Sequence, residues 1–233
     1  MSGSSPPSVP RPAAARLWLA VGLAFLLGKV LVPLGFSLLA GDGLRLDGMA
    51  VYGADWAGRV VLLAVLLARP EVRRLLRFSE GGWGRAVVAT LGIGVVVPLV
   101  VIIFDFAWVV GRVDMWFSAF PPIVTWAPLS GGWLWFDLTV GLLLVALSEE
   151  LVFRGLGPAA LADRPAVLRV VVPTLLFVLI HWHRGLAGMV WVVPFGLLAA
   201  LLALKPGRLP GLIAAHYLIN LWVFLPARVD GSA

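Results

Sequence analysis

Apolar positions fall in long, unbroken runs. Leu17 to Leu39 is the first, and others follow at 51–68, 86–110, 132–160, 168–182, 186–204 and 209–225. Several approach the ~20 residues that span a hydrocarbon core. A backbone in lipid must satisfy its own N–H and C=O groups, which leaves helices or a closed barrel. The runs show no alternation with a period of two, so helices are predicted. The expected fold is all-α: a polytopic transmembrane helical bundle of about seven spans. The first run is too long for the apolar core of a signal peptide and reads as a retained span. Segment 111–131, GRVDMWFSAFPPIVTWAPLSG, carries prolines and tryptophans and reads as an interfacial loop or re-entrant piece. An extra helix there would make eight. Residues 1–16 are rich in proline and serine and are expected to be a disordered cytoplasmic tail. Residues 17–226 then form one membrane domain, with no repeat visible.

Composition agrees with this pattern. The 233 residues are 61% hydrophobic and only 13% charged, against about 25% charged in a soluble domain. The absence of cysteine excludes disulfides and thiolate chemistry. Arginine outnumbers lysine, and alanine, glycine and tryptophan are common, which points to a GC-rich bacterial genome and a plasma membrane. The basic residues sort by loop. Twelve lie on one side: Arg11, Arg16, Arg69, Arg73, Arg74, Arg77, Arg85, Arg154, Arg164, Arg169, Lys205 and Arg208. The other side has Arg45, Arg112, Arg184 and Arg228, while Lys29 and Arg59 lie within spans. The positive-inside rule places the N-terminus in the cytoplasm and, with an odd number of spans, the C-terminus outside.

Against this background the run around ALSEELVFRG, 146–155, is out of place: two adjacent glutamates and an arginine stand inside a span. Ionisable groups at membrane depth are costly and are functional candidates by default. Glu149 and His181 each lie eleven residues from the predicted cytoplasmic face, or ~17 Å at 1.5 Å per residue. His216 lies eight residues past Arg208, about 12 Å down. Three spans thus bring polar groups to a similar depth, which predicts a polar site opening toward the cytoplasm. Glu150 and Arg154 are spaced i,i+4 with the acid first, the favourable order for an ion pair. Glu149 points about 100° away on the helix and is expected to lack that partner. A carboxylate beside a histidine can serve as general base on water. A second histidine and the Asn220 amide, four residues beyond His216, can stabilise an oxyanion.

These residues also carry a family resemblance. EELVFR at 149–154 resembles the EExxxR motif of the CPBP family, the CAAX-protease and bacteriocin-processing (Abi) intramembrane glutamic endopeptidases. FVLIH at 177–181 resembles that family's FxxxH, and HYLIN at 216–220 its HxxxN, in the same order. The resemblance covers about 132–225, and it includes the eukaryotic Ras-converting endopeptidase that trims prenylated CAAX proteins. It implies that Glu149 and His181 activate water, that His216 and Asn220 form the oxyanion hole, and that Glu150, Arg154 and Phe177 support them. No cofactor is implied. The partners are a membrane-associated protein or peptide substrate and the lipid bilayer; no motif points to nucleic acid. A prenylated substrate fits poorly with a bacterial chain.

Other readings stay open on the sequence. The same fold can serve without catalysis, in bacteriocin immunity or as a scaffold, and buried carboxylates can relay protons in a small transporter. Glu149 with His181 and His216 can ligate zinc, although no HExxH occurs. His183 falls outside the motifs. Asp55 and Arg59, spaced i,i+4, read as a structural pair, while Lys29, Asp105 and Asp137 are expected to snorkel or pair.

Overall fold

A computed structural model describes residues 11–41, 49–77, 128–205 and 207–230, with isolated positions between 84 and 124. Helix α1, Pro12–Ala40, starts on a proline, whose missing N–H costs nothing in a first turn. It ends at Gly41, with φ of 83° and its N–H on the Leu38 carbonyl, the left-handed cap that glycine adopts without strain. Residues 12–16, expected in the disordered tail, are therefore helical. Helix α2 is Met49–Leu67. A short α3, Pro70–Arg73, runs on into a 3₁₀ turn, Arg74–Leu76, and the chain bends by 100° between α2 and this piece. The run at 86–110 and segment 111–131 lie mostly outside the described residues.

Helix α4 covers 131–160 without a break in helical backbone, close to the predicted 132–160. It is not uniform. Wide π turns at Asp137–Gly141 and Leu151–Leu156 flank a regular α segment, Leu142–Glu150. Helix α5, Ala166–Leu179, stops short of the predicted 182. A 3₁₀ turn, Trp182–Arg184, leads to α6, Gly185–Trp191, and then α7, Val193–Ala203. The predicted run at 186–204 is thus two helices. Gly185 takes a φ of 72°, and a proline occupies the first turn of α7, where it fits a helix start but cannot continue a preceding one. Helix α8 is Leu209–Asp230. By length and composition, one described helix, Pro12–Leu39, crosses a membrane on its own. Two bent pairs, Val51–Leu67 with Pro70–Leu76 and Ala166–Leu179 with Trp182–Trp191, raise that to three if each is one span.

The bundle brings one end of each helix together. Arg16 near the start of α1 bonds the Ala160 carbonyl at the end of α4 and pairs with Asp163 in the following turn. Arg69 after α2 lies 4.6 Å over the Trp18 ring of α1. Gly155 of α4 faces Leu75 and Leu209. The arginine-rich connections therefore share one face, as their charge pattern predicted. Arg154 is the exception: it is buried within α4 and bonds Glu150, so it belongs with the site and not with a loop. Helices in lipid associate through close packing and polar contacts, and small residues let backbones approach. Gly22 shows the need, since a Cβ there would sit 2.6 Å from the Val152 side chain.

Candidate active site

Helix α4 supplies most of the site. Its regular α segment ends in Ser148, Glu149 and Glu150, all buried, and the π turn that follows carries Arg154. Such wide turns recur at functional sites because they re-aim side chains within a helix. Glu150 and Arg154 form the predicted ion pair at 2.9 Å. The same Glu150 oxygen accepts from Nδ1 of His216 on α8 at 2.8 Å. Glu150 therefore does two jobs, holding the arginine and orienting the histidine.

Glu149 is not without a partner, and this corrects the sequence reading. Arg59 of α2 donates from Nη2 to Glu149 Oε1 at 2.8 Å, from Nη1 to Ser148 Oγ at 2.6 Å, and from Nε to Asp55 at 2.8 Å. Asp55 in turn accepts from Lys29 of α1. The pair read as structural is thus one link in a chain from Lys29 to Glu149. Lys29 pairs, as one of its two readings held, and so does Asp137, which accepts from the Trp56 indole at 3.1 Å; Asp105 lies outside the described residues. The signal for Arg59 was present, as an unexplained cation within a span, but its partner is ninety residues away and no spacing rule connects them.

His181 lies in the turn just after α5, not within a helix. Its Nδ1 is 2.7 Å from the Phe177 carbonyl. A carbonyl only accepts, so Nδ1 carries the proton and Nε2 is left as an acceptor. His183 makes the same kind of bond to the Ile180 carbonyl at 3.1 Å, and its ring stacks near His181 at 6.2 Å. Its own carbonyl accepts from the Ile123 and Val124 N–H groups. Phe177 supports three neighbours at once. Its ring lies 4.0 Å beneath the Arg154 guanidinium, 4.8 Å from the His181 ring and 6.1 Å from that of His216. A cation over an aromatic face is stabilised by the ring quadrupole, which helps to hold Arg154 in a dry interior.

Glu149, His181, His216 and Asn220 all line one cavity of about 60 Å³. Two groups in it lack hydrogen-bond partners among the described residues although they are buried: Glu149 Oε2 and Asn220 Nδ2. One is an acceptor and the other a donor. His216 Nε2 stands 3.9 Å from that same Glu149 oxygen. The cavity is large enough for a water molecule with polar partners on several sides. Among the described residues no group of three His, Asp or Glu side chains is arranged to hold a metal ion; Nδ1 of each site histidine is already committed to a protein acceptor.

No curated protein and no solved structure matches the chain. A family model does: the Rce1-like model, type II CAAX prenyl endopeptidases, matches residues 131–222. That interval begins with α4, ends within α8, and contains all three motifs and the four cavity-lining polar residues they contribute. It leaves out Lys29, Asp55 and Arg59. Over residues 131–222 this integral membrane protein therefore carries an Rce1-like domain of the CAAX-protease family, a family of peptidases.

Proposed function

We propose that the protein is an intramembrane endopeptidase of the glutamic type, hydrolysing a peptide bond of a membrane-associated protein or peptide. The observation that carries this is the convergence of Glu149, His181, His216 and Asn220 on one cavity, with an unpartnered acceptor and an unpartnered donor facing it. Water held between Glu149 Oε2 and His181 Nε2 loses a proton to one of these bases as its oxygen adds to the scissile carbonyl. The oxyanion that develops is met by Asn220 Nδ2 and His216 Nε2. His216 already donates from Nδ1 to Glu150, so it donates from Nε2 only when its ring holds both protons. Collapse of the tetrahedral intermediate breaks the C–N bond, and the proton held by the base passes to the leaving amine. Preorganised donors of this kind supply a large share of catalysis in acyl transfer. Lys29, Asp55 and Arg59 act through Glu149 as positioning residues. By its arginine distribution the N-terminus is cytoplasmic, in what its composition marks as a bacterial plasma membrane.

The test is a comparison of membrane proteomes from cells carrying the wild-type chain and Glu149→Gln. A protein or peptide that accumulates uncleaved in the variant is the expected result. An unchanged proteome, with the chain's cellular effect intact in Glu149→Gln, would favour a non-catalytic role such as immunity or scaffolding.

A further inference from the structure

We infer that the site is entered from the membrane face opposite the arginine-rich loops, so that its substrate is a protein or peptide segment presented at the extracytoplasmic leaflet. This rests on the endopeptidase reading for the word substrate, and on the packing for the side of entry. On each helix the direction from the site to the basic face is known. On α2 it runs from Arg59 past Leu62 and Leu66; on α4 from Glu149 past Leu151 and Leu156; on α8 from His216 back to Leu212. All five leucines are buried, and they belong to one continuous apolar cluster. Between the site and the basic face the bundle is thus dry and closely packed. A peptide strand could pass there only by breaking that cluster.

The cavity extends the other way. Trp56 precedes Arg59 on α2, while Asp137 and Val145 precede Glu149 on α4, and Phe224 follows Asn220 on α8; all four line it. Each lies on the side of the site remote from the basic loops. The lining there is mixed, with an indole–carboxylate hydrogen bond from Trp56 to Asp137, and suits an aqueous path better than a lipid-filled one. The positive-inside rule makes the basic face cytoplasmic, which places the entrance outside. The count of residues from the cytoplasmic face, which gave the opposite expectation, measured depth and said nothing of what fills the space. A segment that reaches this entrance has crossed the membrane or is anchored in its outer leaflet, unlike a lipidated protein held at the cytoplasmic surface.

The chain has no cysteine, so single-cysteine variants report accessibility directly. Ser130→Cys marks the end where α4 begins, Asp163→Cys the basic end, and Val145→Cys and Phe224→Cys the cavity. Intact cells or right-side-out vesicles, and inside-out vesicles, are treated with a charged, membrane-impermeant maleimide. The expected result is that both cavity cysteines and Ser130→Cys label from outside, and Asp163→Cys only from the cytoplasmic side. Cavity labelling together with Asp163→Cys would overturn the inference. So would labelling of neither cavity cysteine while both end cysteines react, or labelling of Ser130→Cys from the cytoplasm. Repeating the measurement in Glu149→Gln keeps it independent of turnover, so a non-catalytic chain and a wrongly assigned entrance give different results.

Discussion

At the residue scale the two adjacent glutamates divide their work, but differently from what their spacing suggested. Glu149 has a neutralising arginine on one oxygen and an open second oxygen, whereas Glu150 is tied to Arg154 and His216. Glu149→Gln is expected to abolish cleavage while the protein still accumulates in the membrane. Glu150→Gln is expected to lower both thermal stability and activity, because charge-assisted hydrogen bonds are worth about 1.5–3 kcal/mol and one of these orients His216. Equal effects of the two changes on both readouts would sink this division. Arg59→Ala strands Glu149 in a dry interior, and removing one partner of a buried pair costs about 3–5 kcal/mol; a fall of that size should appear in detergent unfolding. Arg59→Lys keeps the charge but not the three-pronged geometry, so it should lose more activity than stability. Asn220→Ala should cost about 10²–10³ in kcat with little change in substrate binding, the usual loss for one oxyanion donor. Activity should also persist in excess EDTA or phenanthroline. Inactivation reversed by zinc, with a near-neutral Asn220→Ala, would point to a metal mechanism instead.

At the element scale, irregularities in the helices place the chemistry. The π turn at Leu151–Leu156 follows directly on Glu150 and sets where Arg154 points. The π turn at Asp137–Gly141 brings Gly141 beneath the Trp56–Asp137 hydrogen bond, where a Cβ would lie 2.7 Å from the indole nitrogen and closer still to the carboxylate. Gly141→Ala must push those two groups apart. A destabilisation of about 1–3 kcal/mol, the common cost of overpacking, is expected in thermal unfolding, together with a changed environment for the Trp56 side chain. The end of α5 at Leu179 is as consequential. Because His181 follows the helix, its ring can bond back to the Phe177 carbonyl and face α4 and α8.

At the scale of the whole molecule, charge balance lets the network stay buried. Lys29, Arg59 and Arg154 face Asp55, Glu149 and Glu150, three cations against three anions, all within paired contacts. Buried charges are tolerated when paired and hydrogen-bonded and are costly singly. The exposed pair Arg16–Asp163 works under other rules. The bond from Arg16 holds the Asp163 carboxyl below its usual range. A depressed folded-state value means that the contribution is present at neutral pH and lost as pH falls below the ordinary aspartate range. Water screens such a pair. Asp163→Asn should therefore shift the unfolding midpoint far less than Arg59→Ala does, and the shift should vanish in acid. A comparable shift from the two variants would contradict the role assigned to burial.

The sequence by itself determined the class of fold, the sorting of basic loops to one face, and the motif residues of α4, α8 and the turn after α5. Each of these is local: run length, loop charge, and spacings of three or four residues along one backbone. Tertiary structure alone decided that Arg59 holds Glu149, that one Glu150 oxygen serves both Arg154 and His216, and that Phe177 lies under Arg154. These contacts join helices far apart in sequence, and their energy comes from pairing charges that the bilayer leaves without water. The side on which the bundle is packed solid belongs to the same category, since a run of leucines reads alike whether it seals a path or faces lipid.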